Sequence, residues 1–169
     1  RSSDLVLSIL IPAALPAQQT QQLVFTGLRS AASQGQFNAV QSASNGDLYL
    51  LLDQKDGVRL LKTDANANTV LAQVQLGAKG DIGLAMALDP NGNIYVTGTT
   101  ASGSLAATSG AAFPNAADAS TNSFIAKFDS NLTPLFVTFT GSGRTAAASI
   151  AATSDAVFLT GSIFGATLP

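Results

Sequence analysis

The chain has 169 residues, 46% hydrophobic and 11% charged, with 15 glycines and 6 prolines, a balance that suits many short strands joined by turns. Its 8 Lys+Arg stand against 10 acidic residues, all of them Asp, so there is no basic stripe for a nucleic-acid backbone and no polybasic patch for a membrane surface. Without His, Cys or Glu, these residues cannot assemble a Ser-His-Asp or Cys-His catalytic set, a disulfide framework or a thiolate metal site.

At the N-terminus, residues 5–17 (LVLSILIPAALPA) form an apolar run of 13 that ends in a small residue ahead of a polar stretch. The run is shorter than the ~20 residues of a spanning helix. It is broken by Pro12 and Pro16 and offers a cleavage point after Ala17. Residues 1–17 therefore read as the remnant of a secretory signal peptide, which implies export and no stable membrane insertion once it is removed. A buried strand of a preceding domain is the structural alternative. Arg1 is not an initiator Met, so the sequence is expected to begin inside its gene product. Residues 22–27 resemble 136–141, the last strand of a later unit, and are expected to close a final blade whose other strands lie beyond Pro169.

From residue 36 the chain repeats itself. Residues 37–52 (FNAVQSASNGDLYLLL) align with 84–98 (LAMALDPNGNIYVTG), Gly46 and Tyr49 falling on Gly92 and Tyr95 at a shift of 46. Residues 58–77 align with 123–141 at a shift of 65, which puts Lys62 on Lys127 and Asp64 on Asp129. The excess of 19 is an insertion in the second copy. A third copy opens at 149–161, with Phe158 standing 63 residues after Tyr95. Periods of this length mark propellers and other arrays, whose units bury their faces on their neighbours.

Local chemistry divides each copy into hairpins. Asp89-Pro90-Asn91-Gly92-Asn93 places Pro where φ near −65° is needed and Gly where φ is positive; Ser44-Asn45-Gly46-Asp47 does the same one copy earlier. Flanking β-branched and aromatic residues favour strands. The predicted strands are 36–42, 46–52, 57–63 and 69–76, then 83–88, 93–98, 122–129 and 133–140. The fold expected is an all-β, partial β-propeller over 18–169 built of four-stranded antiparallel blades. It holds a closing strand at about 22–27, blades at about 36–77 and 83–141, and a partial blade at about 146–169. A complete ring has roughly 4–8 blades.

Several motifs have bland readings that outweigh the chemical ones. Gly141-Ser142-Gly143-Arg144-Thr145-Ala146 imitates a dinucleotide fingerprint, but the equivalent Gly77-Ala78-Lys79-Gly80 leads into a strand, so both read as connections between blades. Asp89, Asn91 and Asn93 have calcium-loop spacing, yet the glycine is misplaced and no Glu follows. Paired Asp carboxylates for glycosidic chemistry cannot be placed together from sequence. Lys62 and Lys127 read as strand-end residues with buried stems. The 23-residue connection 99–121 reads as a decoration packed on the blade rim through Leu105 and Phe113, with ligand contact as its alternative.

The pattern resembles the SBBP bacterial β-propeller repeat. The family's usual phrases have counterparts in Ala87-Leu88-Asp89, Tyr95-Val96-Thr97-Gly98, Phe124-Ile125-Ala126-Lys127 and Thr138-Phe139-Thr140-Gly141. Leu105-Ala106 departs from its Phe-Pro loop, and Asn122 stands where Asp is usual. NHL repeats, also propellers, are similar to the Asp-Pro-Asn-Gly-Asn-Ile-Tyr phrase. Either resemblance implies a propeller and neither specifies a ligand.

The function expected is a secreted or cell-surface, non-enzymatic scaffold that binds or adheres to a carbohydrate or protein, with no cofactor, no metal and no nucleic-acid partner. A propeller lyase or hydrolase with catalytic residues in other blades, and a structural spacer in a large exported protein, are the alternatives. Strand parity puts the 1–2 and 3–4 turns of each blade on one face and the other connections on the opposite face. The expected ligand-binding residues, Lys79, Asp81, Asp118, Asn122 and Arg144, belong to the second.

Overall fold

The computed structural model describes residues 6–9, 23–26, 35–116 and 121–167. A two-stranded sheet pairs β1 (Val6–Ile9) with β2 (Leu23–Thr26), Val6 opposite Thr26. The segment expected to close a blade thus pairs with part of the apolar N-terminal run. The rest of residues 1–17 lies outside the described residues.

The first blade is β3 (Gly35–Ser42), β4 (Leu48–Gln54), β5 (Gly57–Thr63) and β6 (Val70–Leu76), antiparallel in sequence order. The second repeats it with β7 (Ile82–Leu88), β8 (Ile94–Thr100), β9 (Asn122–Phe128) and β10 (Pro134–Phe139). A hairpin of β11 (Ser142–Ala152) and β12 (Val157–Thr167) follows. The all-β propeller architecture is therefore the one the repeat predicts. Several strand ends shift by one or two residues, and two differences have an identifiable cause. β4 starts two residues later than expected, because Gly46 (φ 91°) and Asp47 still belong to the turn. β11 starts at Ser142, so most of the connection expected at 141–145 is strand, held by pairing with β12 and by packing on β7, β8 and β9.

Alternation along the strands sends successive side chains to opposite neighbours. Tyr49, Leu51, Val58 and Leu60 of the first blade meet Met86, Ile94, Val96, Phe124, Ala126 and Phe128 of the second in one buried cluster. Tyr95 and Ala87, on the other face of the second blade, meet Ile150 of the hairpin. Each such buried aliphatic or aromatic side chain contributes about 1.5–3 kcal/mol. Polar ties reinforce the first contact. Asn38 donates to the Asp53 carboxylate (2.7 Å) and to the Gly83 carbonyl (2.6 Å), and the Gly83 amide donates back to Asp53 (2.8 Å).

The β5–β6 and β9–β10 turns pass through left-handed backbone at non-glycine residues, Ala67 (φ 54°) and Leu132 (φ 66°). Amides beyond each turn bind the Asp that opens it: Asn68 donates to Asp64 (2.7 Å), and Asn131 and Thr133 to Asp129 (both 2.8 Å). The strain is about 1–2 kcal/mol. Glycine would relieve it at the loss of about 0.8 kcal/mol for a buried methyl and about 0.5–1 kcal/mol of chain entropy. Ala67→Gly should therefore leave stability within about 0.5 kcal/mol. Leu132→Gly, which also removes a buried leucine, should cost about 2–4 kcal/mol. Urea titration reads both.

Candidate ligand-binding face

Antiparallel order fixes the faces. The turns at 43–47, 64–69, 89–93 and 129–133 lie at one end of the blades, and the connections at 77–81, 101–116 and 140–141 lie at the other.

The first face is closed by its own side chains. Asp89 is buried, and its carboxylate accepts from the amides of Asn91 (2.8 Å) and Asn93 (2.9 Å), the Asn93 side chain (2.7 Å) and the Tyr95 hydroxyl (3.3 Å). Burial pushes its pKa up, but these bonds outweigh that and hold it below the ordinary carboxylate value. The calcium-like spacing is thus a saturated turn. The repeated Tyr and Lys prove to be cross-strand pairs: Tyr49 is opposite Lys62, with the ammonium 5.8 Å from the ring centroid, and Tyr95 is opposite Lys127, at 4.9 Å. One difference separates the copies. Ala43 occupies the place of Asp89, so the Tyr49 hydroxyl donates instead to the Ser130 carbonyl of the second blade (2.8 Å).

The second face is a row of hydrogen-bonded strand ends. Asp81 accepts from the amides of Ala78 (2.8 Å), Ala101 (3.0 Å) and Ser102 (3.1 Å) and from the Ser102 hydroxyl (2.6 Å), which ties the β6–β7 connection to the start of the long loop. Burial raises its pKa, yet the bonds from Ser102 and Ala78 prevail and lower it. Farther along, the Thr145 amide donates to the Thr121 carbonyl (3.2 Å) and the Ser123 amide to the Thr145 hydroxyl (2.8 Å), joining the end of the loop to β11.

The long loop also seals an edge. Thr108 donates to the Val137 carbonyl (3.0 Å), the Phe139 amide to the Phe113 carbonyl (3.1 Å), and the Phe113 amide to the Thr138 hydroxyl (3.2 Å). Leu105, Ala107 and Phe113 pack against the inter-blade core. The insertion thus lies along the outer strand β10, the rim packing that the sequence implied, and occupies backbone groups that would otherwise be free to pair with another chain.

Of the expected ligand-binding residues, Lys79 and Arg144 are exposed, and Arg144 lies over the Phe164 ring at 5.2 Å. Arg144 stands in β11 rather than on a connection, because β12 pairs with it. Asp81 and Asn122 are buried in the face, the former spent on the bonds above. Asp118 lies outside the described residues. The four described residues sit at two places. Lys79 and Asp81 lie on the connection between the first and second blades, whereas Asn122 in β9 and Arg144 in β11 lie where the end of the loop is bonded to the hairpin through Thr145.

Sequence reasoning missed a concavity beside this face. A groove of about 620 Å³ runs between the second blade and the hairpin, with Ile125, Thr138 and Phe139 on one wall and Leu159, Gly161 and Ile163 on the other. The fingerprint-like segment beside it enters strand β11 and no helix, so it lacks the helix N-terminus that nucleotide binding requires. The groove depends on the spacing between blades, which no local motif encodes.

No curated protein matches the chain. One family model does, that of SBBP, the beta-propeller repeat, over residues 74–106. The matched span starts near the end of β6, includes the Asp81 turn and the β7–β8 hairpin, and ends just past Ser102, so it covers the elements that tie one blade to the next. Residues 74–106 are thus similar to the SBBP β-propeller repeat, in keeping with the four-stranded blades described above.

Proposed function

We propose that the chain is part of an exported, non-enzymatic propeller scaffold that binds a carbohydrate or protein ligand on its second face. The observation that carries this reading is the contrast between the faces. On the first, the Asp89 and Asp129 carboxylates are engaged by their own turns, whereas the second presents exposed Lys79 and Arg144 on a hydrogen-bonded frame beside an open groove. Function commonly resides on connections held by such a rigid frame. The absence of His, Cys and Glu from the chain supports binding over turnover.

Glycan and peptide arrays probed with the whole chain should yield a ligand whose affinity falls at least tenfold in the double variant Lys79→Ala, Arg144→Ala and stays unchanged in Asn131→Ala on the first face. The opposite ranking would move the site to the first face. Turnover of any captured polysaccharide that is abolished by an Asp→Asn change would replace the scaffold reading with an enzymatic one. Export rests on the apolar run at 5–17, and N-terminal sequencing of secreted protein should begin at Gln18.

A further inference from the structure

We propose that Asn45, in the β3–β4 turn, is a self-modifying site: its side chain closes onto the Gly46 nitrogen, loses ammonia and becomes aspartate or isoaspartate, with Asp47 moving the proton. The two complete copies of this turn carry the same Asn-Gly pair, at 45–46 and at 91–92, in different surroundings. Such a pair is prone to ring closure, because glycine sets no side chain against the approach of its nitrogen to the Asn Cγ.

Three features favour closure at Asn45. The Asp47 amide donates to Asn45 Oδ1 (3.1 Å), so the charge that grows on this oxygen during attack meets a donor already in place. Asn45 Nδ2, the departing group, lies 2.8 Å from Asp47 Oδ2, the distance general acid–base catalysis requires. Lys62 reaches from β5 to hold that carboxylate, its ammonium 3.2 Å from the same oxygen. Finally, the turn bond that must open, from the Gly46 amide to the Ala43 carbonyl (3.0 Å), is not reinforced by residue 43, whose side chain is a methyl.

The Gly46 nitrogen passes its proton to the Asp47 carboxylate and bonds to Asn45 Cγ. The Cγ–Nδ2 bond breaks, and Asp47 hands the proton to Nδ2, which leaves as ammonia. Asn45 is exposed, so water reaches the succinimide and opens it at one carbonyl to aspartate or at the other to isoaspartate. One amide is thereby exchanged for one carboxylate, and the first face gains a negative charge beside Asp47.

The second copy lacks these aids. Asn93 replaces Asp47, so no carboxylate stands two residues beyond Asn91. Asp89 replaces Ala43 and locks the turn through the amides of Asn91 and Asn93. Asn91 is also exposed, which makes it an internal control.

The whole chain, incubated at physiological temperature and pH, is followed by peptide-mapping mass spectrometry and by enzymatic methylation of isoaspartyl carboxylates. Asn45 should convert at least fivefold faster than Asn91. Asp47→Asn, a change on a turn outside the core, should slow conversion of Asn45 at least fivefold. Lys62→Met should slow it several-fold, and Lys62→Arg, which keeps a cation on the carboxylate, should restore it. The sign separates catalysis from restraint, since bonds that merely held Asn45 still would protect it and their loss would speed its conversion. Faster conversion in Asp47→Asn, equal rates at Asn45 and Asn91, or failure of Lys62→Arg to restore the rate would overturn the proposal.

Discussion

Asp81→Ala should lower the stability of the chain by about 3–5 kcal/mol at pH 7. Four donors converge on this carboxylate. Hydrogen bonds to a charged group contribute about 1.5–3 kcal/mol each and are not additive, and a buried donor left unmatched costs about 1–3 kcal/mol. The substitution orphans the amides of Ala78, Ala101 and Ser102 together. Its pH dependence has a definite sign. The folded pKa of Asp81 is depressed, so its contribution is complete above the unfolded value of about 3.9 and is lost as pH falls through the folded value. Asp89 is depressed in the same direction and adds to the loss in the same window. Urea midpoints should therefore fall between pH 5 and pH 2 in the native chain and fall less steeply in Asp81→Asn. Equal slopes would show that the carboxylate does not stabilise the fold.

Gly98→Ala should cost about 2–4 kcal/mol, the range of an overpacked core site. β8 is buried throughout, and at Gly98 the opposite strand bulges between Gly83 and Ala85. A Cβ there would meet the carbonyl oxygen of Ile82, a backbone atom that cannot turn aside as a side chain could. Gly161 faces the Ala146 carbonyl in the same way in β12. Gly80→Ala is the control. Its φ of 101° strains an L residue, but no atom stands near the added methyl, so its loss should be nearer about 1 kcal/mol. Denaturant titration of both variants separates collision from backbone strain, and equal losses would remove the collision from the account.

The strands were legible where the turns that separate them are local. Asp89-Pro90-Asn91-Gly92-Asn93 encodes its hairpin within five residues, and the amide bonds to Asp89 follow from that spacing. The recurrence of Tyr and Lys was visible, but their pairing required the register of β4 with β5 and of β8 with β9. β11 was read short because Gly141-Ser142-Gly143 has the composition of a connection. Its strand character comes from β12 and from the blade it lies on, partners that outweigh local preference. The site was less legible than the fold. Asp81 and Ser102 are 21 residues apart, and nothing in the sequence distinguishes a carboxylate used to join two connections from one left for a ligand. Leu105 and Phe113 were readable as rim-packing residues because apolar side chains in a polar loop must find a surface; the edge they cover was not.

The fate of the two tyrosine hydroxyls bears on how the array melts. In a linear array, stability divides into terms within a unit and terms between neighbours. The Tyr95 bond to Asp89 is of the first kind, whereas the Tyr49 bond to Ser130 is of the second. The exchange of Asp for Ala at position 43 thus moves one hydrogen bond from the account of a single blade to the coupling between two. Cooperativity along the chain can be tuned at this turn without altering a core residue, and the first and second blades should unfold as a more tightly joined pair than the second blade and the hairpin.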